Sequence, residues 1–195
     1  MIRTFVGRMA LIAIVGFVCI VTLSGCSGEP CRIHGTMESG AWDGKRIFLV
    51  PLEGPRDAAH VDSVVIRGRT FEFTVHGEEM KIVRLDYHFR RGTQDLLIVT
   101  EPGDLYVSIG ENSVAAGTPQ NDSMQVWKDH VMMCTRQCAE LRKRGKETGE
   151  DVKDQVKEIQ RRNRQFTRLM AERMPEGVFK DYLNKYYPSR DESHD

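Results

Sequence analysis

DSVVIRGRTFEFTVH, residues 62–76, sets the texture of the chain's first half. Apolar and polar residues alternate after Gly68, and a short apolar run, Val64 to Ile66, precedes it. Phe71, Phe73 and Val75 fall on one face, with Glu72 and Thr74 on the other. A period of two belongs to a half-buried strand. The stretch reads as a hairpin: Asp62 to Arg67, a turn at Gly68, then Thr70 to His76.

The same texture continues outward. Upstream, Arg32 to Met37 and Arg46 to Leu52 read as strands, separated by a turn over Gly40 to Gly44. Pro51, Gly54 and Pro55 punctuate the loop that follows. Downstream, Lys81 to Phe89 is another strand. Gln94 to Thr100 and Leu105 to Ile109 flank the turn Glu101-Pro102-Gly103-Asp104, and Ser113 to Ala116 is a last short strand. Pro then Gly at the central positions of that turn favours type II, whose second central residue needs φ > 0. Seven or eight short strands with frequent turns imply an antiparallel β-sandwich or open barrel over residues 31–119.

From Asn121 the period changes. Met124, Trp127, Val131, Cys134, Cys138 and Leu141 recur every three or four residues, the apolar seam of a helix, with Asn121 as its expected amino-terminal cap. Gly145 and Gly149 are expected to break it in a basic turn. A second helix runs from about Glu150 to Arg173, carrying Val152, Val156, Ile159, Phe166 and Met170 on one stripe with Asn163 inside it. Short connections fold such helices into an antiparallel hairpin. Val178, Phe179, Tyr182, Leu183 and Tyr186 predict a short third helix, ended by Pro188. The fold class is therefore α+β: residues 31–119 sheet, 120–188 helical, and 189–195 a frayed tail.

The amino terminus reads as an address. Arg3 and Arg8 precede an apolar run from Met9 to Leu23, the layout of a secretory signal peptide over residues 1–25. The run is shorter than the ~20 residues a transmembrane helix needs, which disfavours the alternative of a retained signal anchor. Leu23-Ser24-Gly25-Cys26 matches the lipobox of bacterial lipoproteins: an apolar residue, two small residues, then cysteine. The resemblance implies cleavage before Cys26, lipid on its sulfur and acylation of the new amino terminus. Several acyl chains anchor stably where one does not. Residues 26–30 then form a lipidated tether. The expected address is the cell envelope, the outer membrane favoured and its face left open.

Residues 26–119 hold 10 basic and 14 acidic side chains, and residues 120–195 hold 16 and 14. No strong field points to nucleic acid. Cys31, Cys134 and Cys138 remain after maturation, and three thiols cannot all pair within one chain.

Together these features resemble a bacterial lipoprotein family. Its first domain is a domain of unknown function, often fused ahead of a thioredoxin-like or peroxiredoxin-like domain. The likeness rests on Ile33-His34-Gly35, on Gly44 to Leu49 and on Asp62 to Ile66 leading to Phe71-Glu72-Phe73. It continues in Glu101-Pro102-Gly103-Asp104 and in Gly117-Thr118-Pro119-Gln120-Asn121-Asp122. It implies an anchored first domain and the helical segment that joins it to the catalytic one. Only a short tail follows Pro188 and no Cys-x-x-Cys occurs, so the family's oxidoreductase activity is not expected here.

Among candidate chemical groups, His130, Cys134 and Cys138 lie along one helix face. His130 and Cys138 are about 12 Å apart along the axis, too far to converge on one metal. A disulfide between residues four apart on a helix would be strained. Burial on the seam is the plainer reading of Cys134 and Cys138, with redox or metal roles the alternatives, and Cys31 reads as an unpaired residue near the tether. His34, His60, His76 and His88 are scattered. No catalytic residue, cofactor or metal site is assigned. Arg142-Lys143-Arg144-Gly145-Lys146 and Arg161 to Arg164 with Arg168 read as a solvated face, or as a contact for anionic lipid or an acidic partner. The sequence thus points to a non-catalytic, lipid-anchored binding or scaffold module with an envelope protein partner and no nucleic acid. The alternative is an accessory factor for envelope thiol–disulfide chemistry beside a separate thioredoxin-like protein.

Overall fold

A computed structural model of the chain describes residues 28–85 and 94–188. Two four-stranded sheets face one another, followed by three helices. The strands are β1 (Cys31–Met37), β2 (Arg46–Pro51), β3 (Asp62–Val65), β4 (Thr70–Val75), β5 (Met80–Leu85), β6 (Leu96–Val99), β7 (Gly103–Ile109) and β8 (Val114–Ala116). The first sheet has the order β4-β1-β7-β8 and the second β3-β2-β5-β6. The expected α+β class holds, with an open sandwich and no closed barrel. One pair, β1 with β7, is parallel; the other pairs are antiparallel.

The expected hairpin over residues 62–76 is instead a crossing between sheets. β3 pairs with β2 in the second sheet, and β4 pairs with β1 in the first. Only a single bridge, Arg67 to Thr70, joins the two arms around Gly68 (φ 59°) and Arg69 (φ 64°). Two successive positive φ angles make a tight two-residue turn. Arg69 holds the unusual geometry by donating its backbone N–H to Asp43 and its side chain to the carbonyls of Met37 and Glu38. Before the turn, Ile66 stays beside β2 and is fully buried. Phe71 and Phe73 then enter the same core from the opposite sheet. Alternation records which residues face the core, not whether two strands pair side by side or face each other across it. The turn at residues 101–104 is likewise a crossing, from β6 in the second sheet to β7 in the first. Gly103 does take a positive φ, 122°. Gly35 lies opposite Phe71 in register, and a Cβ there would fall 2.0–2.4 Å from atoms of the Phe71 ring. The glycine is the seat of the aromatic ring.

The helices are α1 (Pro119–Thr148), α2 (Lys153–Arg173) and α3 (Val178–Tyr186). Their base packs on the second sheet through a core of Met80, Val99, Met124, Trp127, Phe179 and Leu183. α1 also closes the strand edges that would otherwise expose unpaired backbone groups. Asn121 accepts from the N–H of Val99 at 2.9 Å and donates to its carbonyl at 2.8 Å, on the free edge of β6. Gln125 accepts from the N–H of Ala115 in β8, and the Lys128 ammonium donates to the Ser113 carbonyl just before it. Asn121 is therefore not the amino-terminal cap. The Glu101 carboxylate takes that role, accepting from the N–H groups of Gln120 at 2.7 Å and Asn121 at 3.2 Å. A carboxylate at the start of a helix meets free N–H groups and the positive end of the dipole.

α1 also runs further than expected. Gly145 lies within it, and Gly149, with φ 75°, ends it. α1 and α2 form the expected antiparallel pair: Trp127 donates to Thr167, His130 stacks on Phe166, and Gly145 meets Val152. Beyond His130 and Phe166 the pair leaves the sandwich as a two-helix arm. Its own small core is Cys134, Cys138, Val152, Val156 and Ile159, with Leu141 packed against it.

Candidate functional site

Strand register gives the molecule two distinct ends. Pro30 leads into β1 and accepts from the N–H of Gly103 at the start of β7. Gly117, just before α1, packs on the Asp104 carbonyl at this same end. From there α1 passes Ala115 and then Ser113, so it runs opposite to β8 and parallel to β1 and β7. Twenty residues separate Lys128 from Thr148, about 30 Å at 1.5 Å per residue. The arm therefore points away from the end where the chain enters from residue 28. Residues 131–165 carry ten basic and six acidic side chains. Several are paired locally, Arg161 and Arg162 with Glu158 and Arg144 with Glu150.

The entry end holds the cavities. α3 is tied there by Phe179, whose N–H donates to Gln120 at 3.0 Å, and by Lys185. A cavity of about 350 Å³ opens between α3 and the chain around Glu53 and Glu78. A second, of about 300 Å³, reaches from Glu53 and Glu79 past Lys81 to His60 and Pro55. The Lys185 ammonium lies 2.6 and 2.7 Å from the two oxygens of Glu53, which also accepts from the Tyr186 hydroxyl. Those bonds, Lys185 first and Tyr186 second, hold the Glu53 carboxyl below its usual range. Burial first, then the neighbouring tyrosines, pushes the Tyr182 hydroxyl up to about 12. The sequence reading missed this site. Its signals were the Glu78-Glu79 pair and the polar flank of α3, where Asp181 and Lys185 sit four residues apart.

The residues singled out from sequence do not converge on it. Cys26 and His88 lie outside the described residues. Cys31, next to the tether, is free and 1% exposed inside the sandwich. Burial first, then the negative charges of Glu101 and Asp104, pushes its thiol up to about 11. Cys134 and Cys138 are buried in the arm, and all three described cysteines are free. Burial raises the Cys134 thiol as well. A neutral thiol in an apolar setting is a poor nucleophile. The His130 ring lies 3.6 Å from the Cys134 sulfur and is stacked on Phe166. His34 sits on the outer face of the first sheet, 2.9 Å from Asp104 and stacked on Tyr106. Among the described residues no group of three or more His, Cys, Asp or Glu side chains is placed to hold a metal.

Glu101 and Asn121 belong to separate sequence motifs that meet here as one buried latch between sheet and helix. Residues 31–124 match a family described as a domain of unknown function, DUF4369. The matched segment spans both sheets and ends within α1, just past the latch. The comparisons with curated proteins and with solved structures found no match. Within the DUF4369 segment, Gly35, Glu101 and Asn121 have packing and capping roles. The first cavity lies where the segment meets α3, and the second lies within the segment.

Proposed function

We propose that this protein is a lipid-anchored module of the cell envelope, held through Cys26, whose helical arm reaches an acidic surface on a protein partner. The observation that carries this reading is the direction of α1. The arm leaves the sandwich away from the end where the tether enters, so an anchored molecule presents it outward. Its excess of basic side chains suits an acidic partner. The reading is non-catalytic: the described thiols are buried, and the histidines are dispersed. Among the described residues no helix is long and apolar enough to cross a membrane. The accessory role in thiol–disulfide chemistry draws on Cys31, Cys134 and Cys138, and their burial weighs against it.

Photo-crosslinking in cells tests the proposal. A benzophenone side chain at Lys146, on the arm, should capture one or a few envelope proteins. The same group at Thr74, on the outer face of the first sheet, should not. Adding Arg161→Glu, Arg162→Glu and Arg164→Glu should abolish the Lys146 adducts. No adduct at Lys146, or equal capture at Thr74, contradicts the reading.

A further inference from the structure

The two flanks of the arm differ in charge. Its seam runs through Cys134, Cys138 and Leu141 on α1 and through Val152, Val156 and Ile159 on α2. A helix turns about 100° per residue, so positions just after the seam share one flank and positions just before it share the other. Arg144 and Gln155 stand just before Gly145 and Val156. They hydrogen-bond across the pair at 3.0 Å, which fixes that flank on both helices. It carries charges of both signs: Arg144 is paired with Glu150, and Arg162 with Glu158. The opposite flank carries Arg142 and Lys146 on α1 and Lys153, Lys157 and Arg164 on α2. Exposed Thr135, Ala139 and Gln160 fill its other positions, and none of them is acidic. Lys153 is 3.4 Å from Asp151 in the turn. Among the described residues, Arg142, Lys146, Lys157 and Arg164 are exposed and make neither a hydrogen bond nor an ion pair.

We propose that the partner meets the arm along this flank, through an acidic α-helix lying parallel to the arm. That helix carries Asp or Glu every three or four residues on one side. The inference rests on the reading of the arm as a partner-binding element and names the face and the partner's chemistry. Trp127 beside Thr167 and Gly145 beside Val152 set the register of the two helices. Arg164 therefore lies roughly 20 Å of helix below Lys146, at 1.5 Å per residue. A flat anionic surface beyond the arm meets its tip and leaves Arg164 unused. A rod along the flank meets all four unpaired cations. Arg142 and Lys146 are one helical turn apart, and Lys157 and Arg164 two turns, about 6 and 10.5 Å. A partner helix repeats its carboxylates at the same rise and stays in step with them. An extended strand, at about 7 Å per two residues, does not. Thr135 and Ala139 are small enough to let a helix come close beside Arg142. The charge pairs across such a contact resemble those that flank the apolar seam of a coiled coil and set partner choice.

Photo-crosslinking of the full chain in cells, with the joined peptides identified by mass spectrometry, tests this. A benzophenone side chain at Ala139 or Gln160 should join the same protein that Lys146 captures. The joined peptide should carry Asp or Glu at three- and four-residue spacing. The same group at Gln137, on the opposite flank, should give about tenfold less adduct. Arg142→Glu with Lys157→Glu should cut the Ala139 adduct about tenfold. Arg144→Glu with Arg162→Glu makes the same change of charge on the opposite flank and should leave the adduct within about twofold. Should the first pair fail to fold, Arg142→Gln with Lys157→Gln should still cut the adduct severalfold. Three results overturn the flank assignment while leaving the outward arm in place: more adduct at Gln137 than at Ala139, equal loss from both pairs of Glu variants, or a joined peptide without the acidic repeat. Absence of adducts at every arm position, Lys146 included, overturns both.

Discussion

Cys31 concentrates several constraints in one side chain. It opens β1 between Val75 and Gly103, is buried in the sandwich core, and lies near the charges of Glu101 and Asp104. Its thiol is pushed up to about 11 from an ordinary value of 9.0. The folded chain therefore keeps a proton that the unfolded chain loses above about pH 9. Stability linked to this residue is fully present below pH 9 and falls as pH rises toward 11, by on the order of 2 kcal/mol. Denaturant unfolding under reducing conditions should show the parent losing its advantage over Cys31→Ala across that window. Parallel profiles for the two proteins would refute this assignment. Its place beside the tether was legible in the sequence; its burial was not, because nothing local shows that β1 is central to its sheet.

At the scale of elements, α1 and its turn carry a prediction opposite in sign to helix propensity. Replacing glycine by alanine inside a helix ordinarily gains about 1 kcal/mol. At Gly145 an added Cβ would lie 2.9 Å from the Glu150 carbonyl and 3.0 Å from a Val152 methyl. Gly145→Ala should therefore destabilise the arm by about 1–2 kcal/mol through overpacking. Hydrogen exchange of amides in residues 134–160 should quicken in the variant, while those in β1 and β7 stay protected. Slower exchange in the arm would reject the close approach. The same residue shows how far the elements were legible. Period-two and period-3.6 patterns located eight strands and three helices, since burial of one face imposes them. Gly145 read as a helix breaker, because its tight contact with the next helix is a long-range fact. The hairpin reading of residues 62–76 failed for a related reason: paired strands and strands facing across a core share one alternation. Asn121 looked like a cap locally, yet its amide is used on the distant β6 edge and Glu101 caps the helix instead. The two cavities were the least legible feature. Their walls come from four separate stretches of chain, and no spacing within one stretch announces them.

For the whole molecule, the arrangement is polar: entry of the chain and the two cavities at one end, the basic arm extending from the other. Membrane attachment at the entry end would place the cavities near the lipid surface and the arm tip tens of ångströms beyond it, given about 30 Å of α1 past Lys128. The deciding measurement is fluorescence quenching of the lipidated protein in liposomes that carry nitroxide-headgroup lipids. One fluorophore is placed at Lys146→Cys and, in a second sample, at Tyr187→Cys. Strong quenching is expected at position 187 and little at 146. Stronger quenching at 146, equal quenching at both positions, or no association of the lipidated protein with the liposomes would contradict it.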